Sequence, residues 1–186
     1  HLGWRGRRAF RGDGDIQLRG FGSTRTLFNP LTFAVVGVDR QTSGASARAT
    51  LPVTIAGLSQ RVTAGFDAQR MSDARKNWTN CNNLISPSCT GAEKGPLTLD
   101  QREIVTGSGA YVRDEITRGN ATATVGVRAD NTTFNLRDNF LSDGRDDTGE
   151  RGMSAVSPMV GASYRLGAAT AMYPNVSSAF ETPSAT

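Results

Sequence analysis

The fold is decided by one stretch of alternating residues, Ala121-Thr122-Ala123-Thr124-Val125-Gly126-Val127-Arg128-Ala129-Asp130. Every second residue in it is apolar, and the residues between are polar or glycine. Because successive side chains of a β-strand point to opposite faces, this period of two predicts a strand with one apolar and one wet face. A helix would instead need apolar residues three and four positions apart.

The same alternation recurs along the chain and predicts an all-β protein of about seven or eight long antiparallel strands. Strands are predicted over residues 47–56, 60–71, 102–117, 120–137, 153–166 and 169–180. Two further strands are predicted at Asp15–Phe21 and Thr32–Asp39, whereas Phe28-Asn29-Pro30-Leu31 fits either a turn or part of an outer loop. These segments exceed the roughly five or six residues that are typical of strands in soluble sheets.

The predicted connections alternate between short and long. Residues 57–59, 118–119 and 167–168 read as tight turns, and residues 72–101 and 138–152 as long polar loops. This asymmetry is typical of a transmembrane β-barrel of the outer membrane, with turns on one side and loops on the other. A soluble antiparallel sheet with one face on a core is the alternative.

The two faces also differ in chemistry. The apolar face carries Ala, Val, Leu and Phe, with Tyr164 near a strand end, as expected for a surface against outer-membrane lipid. The opposite face, which would line a wet lumen, carries Asp67, Gln69, Arg128, Asp130 and Arg165.

The composition of the 186 residues excludes several function classes. His1 is the only histidine, so neither a Ser-His-Asp arrangement nor a histidine metal cluster is available, and we expect no enzyme, catalytic residue, metal site or cofactor. The net charge is +4, but the arginines are scattered through the strands, and a nucleic-acid partner is not expected. No run of 18 apolar residues is present to form a membrane helix.

Three residues of the long loop 72–101 are candidate ligand contacts. Arg75 and Lys76 are cationic, and Trp78 beside them could stack on a ligand or simply pack the loop. In the second loop, the acidic residues Asp143, Asp146, Asp147 and Glu150 could bind calcium, although a solvated acidic loop is the favoured reading.

Cys81 and Cys89 are the only cysteines, and seven residues separate them in a polar stretch. A close pair within one loop predicts a local disulfide, which suits an oxidising compartment. Two unpaired thiols are the alternative.

The C-terminal run Tyr173-Pro174-Asn175-Val176-Ser177-Ser178-Ala179-Phe180-Glu181-Thr182-Pro183 resembles a strand of the TonB-dependent outer-membrane receptors, usually written Tyr-Ala-Asn-x-Ser-x-x-Phe-Glu-Thr-Pro. Residues 63–69, 109–115, 125–130 and 154–158 are similar to further barrel segments of that family. The order and spacing of these motifs carry the resemblance, which covers residues 60–186 well and the first 60 residues loosely.

The resemblance implies a 22-stranded barrel closed by an N-terminal plug and residing in the bacterial outer membrane. It implies import of a ferric siderophore or a similar scarce solute, energised by the inner-membrane TonB complex. Residues 1–186 would then be a fragment of the barrel domain, without the plug or the TonB-binding segment through which that complex acts. A passive porin segment and a soluble all-β binding module are the alternative functions.

One departure from the family pattern has a structural consequence. Pro174 stands where the family usually has alanine, and proline cannot donate to a strand ladder. Strand 169–180 is therefore predicted to contain a bulge or a local break.

Overall fold

The chain folds into a single sheet of long antiparallel strands, seen in a computed structural model that describes residues 1–81 and 93–182. The strands are β1 (Leu2–Ala9), β2 (Asp15–Pro30), β3 (Ala34–Ile55), β4 (Leu58–Asn80), β5 (Lys94–Arg118), β6 (Ala121–Asp138), β7 (Gly149–Arg165), β8 (Ala171–Met172) and β9 (Asn175–Ser177). Short 3-10 turns occur at Arg11–Asp13 and Leu141–Asp143. No helix among the described residues is long and apolar enough to cross a membrane.

Each strand from β1 to β8 pairs with its neighbour in sequence, and β9 also pairs with β7. All of these pairings are antiparallel. The described sheet has two free edges and does not close on itself. The predicted all-β antiparallel fold is confirmed. The division into strands differs, because the predicted strands 32–39 and 47–56 both belong to β3, and β1 was not predicted.

The strands are longer than the sequence predicts. β3, β4 and β5 contain 22, 23 and 25 residues, so most of residues 72–101 extends the sheet, and the prediction of a long loop there is wrong. The second predicted loop shortens to residues 139–148, because β6 ends at Asp138 and β7 begins at Gly149. Near the chain start, Phe28–Pro30 belong to β2, and β3 begins at Ala34 rather than Thr32.

The tight turns lie together at one end of the sheet. Ala56 and Gly57 both have positive φ angles, 51° and 76°, which are required at the two central residues of the hairpin turn that best matches strand twist. Gly119, with φ 58°, and Asn120 connect β5 to β6. The predicted turns are therefore present, each within one or two residues of its predicted place. We call this end the turn end and the other the loop end.

The predicted break at Pro174 is present between β8 and β9. Met172 pairs with Tyr164 and Asn175 pairs with Gly161, so the register is unchanged across the interruption and no residue bulges out. The Pro174 carbonyl still accepts a hydrogen bond from the Ala162 N–H at 3.0 Å. The ladder therefore loses only the hydrogen bond that a backbone N–H at position 174 would have donated.

The two faces of the sheet reverse the burial pattern of a soluble protein. On the face called outer here, apolar residues align across all the long strands and stay exposed. One such row is Ile16, Ala49, Ala64, Val112, Val127 and Pro158, and the next is Leu18, Ala47, Phe66, Ala110, Ala129 and Val156. Phe66 is 52% exposed and Val156 66%.

The opposite, inner face holds most of the buried polar side chains of the described residues. These are Asp15, Gln17, Thr50, Thr63 and Asp73. Polar groups shielded inside and apolar groups exposed outside are expected for a barrel wall that separates lipid from a wet lumen. The face assignment predicted from sequence is confirmed, with Tyr164 outside and Asp67, Gln69, Arg128, Asp130 and Arg165 inside.

The apolar outer rows form a band of limited height. On β4 it runs from Leu58 to Ala68, close to the roughly 9–11 residues that a tilted strand needs to cross a bilayer. From Arg70 onward the outer face carries mainly polar and charged residues, with Ala74 and Trp78 among them, while the strand continues to Asn80. We call the first part the apolar band and the second the extension.

One carboxylate interrupts the apolar band. Asp114 lies on the outer face of β5 between Val62 and Val125, and its buried Oδ1 has no hydrogen-bond partner. A cation introduced at Val125 would therefore meet a ready partner, whereas Val127 faces only Val112 and Pro158.

We predict that Val127→Arg impairs membrane assembly of the full-length protein, because a cation in the middle of the lipid-facing band costs roughly 2–4 kcal/mol. Thr124→Arg, on the inner face of the same strand, is expected to assemble normally. The measurement is the fraction of heat-modifiable protein in the membrane. Equal assembly of the two variants would contradict the face assignment.

Candidate functional site

The concave inner face encloses a cavity of about 590 Å³ between β4, β5, β6 and β7. Its wall combines charged and polar residues with apolar ones, and it includes Asp67, Gln69, Tyr111, Arg128 and Asp130. Residues 178–182, which follow β9, lie along one side of it. The cavity is thus the wet side of the sheet at the height of the apolar band.

Arg128 organises this cavity. Its guanidinium donates to both carboxylate oxygens of Asp67, at 2.8 and 3.1 Å, and to Asp130 at 2.8 and 2.9 Å. Asp130 lies two residues along β6 on the same face, and Asp67 lies two strands away on β4. Because both contacts use several charge-assisted hydrogen bonds, the arginine is fixed in one orientation.

Glycines make this arrangement possible. Gly109 lies on β5 between Asp67 and Asp130, and a Cβ there would collide with the Arg128 guanidinium. Gly65 leaves room for the Tyr111 ring in the same way, since a Cβ at Gly65 would lie 2.5 Å from that ring. The Arg128 guanidinium is in turn 6.0 Å from the centre of that ring.

A second charged network lies on the inner face of the extension. Arg40 on β3 forms a bidentate pair with Asp73 on β4, with contacts of 2.8 and 2.5 Å. The hydrogen bonds that Arg40 donates to the Asp73 carboxylate raise the pKa of Arg40, so the guanidinium stays charged at every physiological pH. The next ion pair on this face joins Arg75 and Glu103, whose nearest nitrogen and oxygen atoms are 3.9 Å apart. Gln101 donates a hydrogen bond to the Glu103 carboxylate.

The three candidate ligand contacts do not share one surface. Because the predicted loop is a strand, consecutive side chains alternate, and Arg75 faces the inner side while Lys76 and Trp78 face outward. Lys76 pairs with Asp100 at 3.0 Å on the outer face. Only Arg75 therefore keeps a position from which it could reach a ligand in the lumen.

Trp78 packs within the protein. Its ring lies over Gly37, 3.1 Å from where a Cβ would be, and the Lys94 ammonium is 4.0 Å from the ring centre. The same ammonium is 5.4 Å from the centre of the Phe28 ring. These contacts join the loop ends of β2, β3, β4 and β5, which is the packing role weighed as the alternative for Trp78.

The other predicted site residues that the structure describes lie at the loop end of the sheet. Cys89 lies outside the described residues, so its pairing with the buried Cys81 stays a prediction. In the acidic loop, the Thr148 hydroxyl and N–H lower the pKa of Asp146, which acts as a turn residue. Within residues 1–81 and 93–182 no three acidic, histidine or cysteine side chains come close enough to hold a metal ion.

Sequence reasoning placed the charged residues on the correct face but did not find their pairing. Asp67 and Arg128 are 61 residues apart, and only the register of β4, β5 and β6 brings them together. The signal in the sequence was the pair of inner-face glycines, Gly65 and Gly109, whose meaning is clear only once the strand partners are known.

The fold and the two faces define the class of protein. The chain forms part of the wall of an outer-membrane-type β-barrel with a polar interior. The family model described as "TonB dependent receptor-like, beta-barrel" matches residues 2–186, and the chain belongs to this family. No curated protein sequence matches the chain.

Among solved structures, the chain is similar to the ferric citrate transporter FecA in its unliganded form. The TM-score is 0.71 at 19% sequence identity, and the match covers 93% of this chain. At this identity the likeness shows the fold alone. The chain spans 27% of the length of that transporter chain.

We predict that Gly65→Ala destabilises the protein by about 1–3 kcal/mol, because the added methyl displaces Tyr111 from a packed position. Gly107→Ala is the matched control, since the nearest atom to its Cβ is an ordinary 3.6 Å away. Urea unfolding of the full-length protein in detergent, followed by tryptophan fluorescence, measures both. Equal stability of the two variants would refute the role given to Gly65.

Proposed function

We propose that this chain is part of the wall of an active transporter in the bacterial outer membrane, which takes up a scarce solute such as a ferric siderophore. In this proposal residues 1–186 are a segment of the barrel domain. The plug and the segment that engages the TonB complex lie elsewhere in the full-length protein. The observation that carries the proposal is the exposed apolar band outside a polar, charged lumen, in a chain of the TonB-dependent receptor family.

The proposal involves no covalent chemistry by these residues. The inner face offers guanidinium, carboxylate, amide and hydroxyl groups, which suit binding and release of a polar solute. The exposed apolar band argues against the soluble binding module, because contiguous apolar surface of this extent would drive aggregation in water.

Ligand capture is assigned to the inner face of the extension, beyond the apolar band. Arg75 lies there with Arg40, next to the opening at the loop end. Arg40 is held by Asp73 with two close contacts, whereas Arg75 has one contact to Glu103 at 3.9 Å. Arg75 is therefore the less tightly paired cation, and ferric chelates that carry negative charge would be attracted to it.

The active mechanism predicts that uptake depends on TonB. Cells that express the full-length protein as their sole outer-membrane receptor should accumulate iron-55 from one member of a panel of ferric siderophores. Deletion of tonB should abolish this accumulation, since equilibrium diffusion cannot concentrate the solute. Uptake that persists without TonB would instead indicate a passive porin.

Arg75→Gln is expected to weaken binding of that siderophore about tenfold, which corresponds to loss of one charge-assisted hydrogen bond of roughly 1.4 kcal/mol. Lys76→Gln, one residue further and on the outer face, should leave the affinity unchanged. Fluorescence quenching of the purified protein by the ferric siderophore gives both constants. Equal effects of the two variants would remove Arg75 from the proposed site.

A further inference from the structure

The outer face carries unpaired arginines directly beyond the apolar band. Arg70 on β4 is two residues past Ala68, the last residue of the band. Arg102 on β5 and Arg137 on β6 lie directly opposite each other in the ladder, level with Ala74 of β4. All three residues are exposed.

These arginines lie in the middle of the described sheet. β4, β5 and β6 each have both neighbouring strands in place, so no further strand can supply them with partners. In the part of the chain that the structure describes, no carboxylate forms an ion pair with any of the three. The nearest polar contact is Ser72, whose hydroxyl accepts from Arg102 at 3.3 Å.

Three arginines of the inner face differ from this group. Arg40, Arg113 and Arg128 each have a carboxylate oxygen within 3.1 Å. On the outer face, two guanidinium groups directly opposite each other are unfavourable unless an anion lies between or beside them. The carboxylates around this group are engaged elsewhere or set apart: Asp100 pairs with Lys76, Glu150 accepts from Asn135, and Asp39 lies two strands from Arg102.

The height of the arginines fits a headgroup layer. Ala74, which is level with Arg102 and Arg137, lies four residues beyond Arg70 on β4. This separation is about 13 Å along the strand, or roughly 9 Å along the membrane normal at the usual strand tilt. The cations thus begin at the edge of the apolar band and continue through the zone where lipid headgroups lie. A ligand held there would have its apolar part beside the band and its anionic part beside the guanidinium groups.

We propose that Arg70, Arg102 and Arg137 form a binding site for the phosphate groups of membrane lipid at the loop end of the barrel. With the outer-membrane location proposed above, that lipid is the phosphorylated glycolipid of the outer leaflet, lipid A with its attached sugars. The arginines bind the phosphates bidentately, while the acyl chains lie against outer-face residues such as Phe66 and Val112. The site is separate from solute transport, because it lies on the other side of the sheet from the lumen.

The first arm of the test uses the unmodified full-length protein in phosphatidylcholine nanodiscs. The probes are bis-phosphorylated lipid A and the same lipid with its phosphates removed, and binding is measured by native mass spectrometry. The phosphorylated lipid should bind at least about tenfold more tightly, as expected for two or more arginines near anionic headgroups. Equal binding of the two lipids overturns the proposal, and needs no variant to do so.

The second arm uses the double variant Arg102→Gln/Arg137→Gln. It should lose most of the preference for phosphate, whereas Arg102→Lys/Arg137→Lys should retain part of it. Arg151→Gln is the matched control, because Arg151 is an exposed arginine of the same part of the sheet but faces inward, opposite Phe134. An equal loss in Arg151→Gln, or no loss in the double glutamine variant, overturns the assignment.

The two proposals fail in different ways. Loss of TonB-dependent uptake in the earlier experiment would not alter the lipid measurement, which uses purified protein. Conversely, a protein that transports normally but binds both lipids equally would refute the phosphate site alone.

Discussion

The structure depends on one constraint, which is that the strands must present apolar side chains to lipid while their backbone groups are satisfied by neighbouring strands. In a bilayer core no water is available to a free N–H or carbonyl group, so strands can cross only when paired along their whole length. The registers of β2 to β7 are unbroken within the apolar band and meet this requirement, and the shifts between β4 and β5 at Asn77–Asn80 lie in the extension. Most polar side chains of the band then lie on the inner face, with Asp114 as an exception.

This constraint explains why the inner face is built from glycines beside large or charged residues. With no apolar core to pack, order on that side comes from specific contacts such as Arg128 with Asp67 and Tyr111 over Gly65. Glycine allows the ring or guanidinium to lie flat against the neighbouring strand. The same device recurs on the outer face at the loop end, where Trp78 lies over Gly37.

The strands have two zones with different surroundings. Within the apolar band the outer face meets lipid and the inner face meets the lumen, whereas both faces of the extension carry charged and polar residues among scattered apolar ones. That difference separates two kinds of cation on neighbouring strands. Arg75 faces the lumen, where we place solute capture, and Arg102 faces outward, where we place lipid phosphate.

The sequence by itself determined the strands of the apolar band, the faces of their side chains and the tight turns. In that zone lipid on one side and water on the other force a period of two on the residues. The break at Pro174 was also predictable, because it follows from a missing donor.

The tertiary structure alone decided the extension of β4 and β5 through residues 72–80 and 94–101. There charged and polar residues occur on both faces, so the strands show no sustained alternation, and their stability comes from pairing with neighbouring strands. It alone also decided which cations meet carboxylates, since a strand pattern states the face of a residue but not the register that places Asp67 beside Arg128.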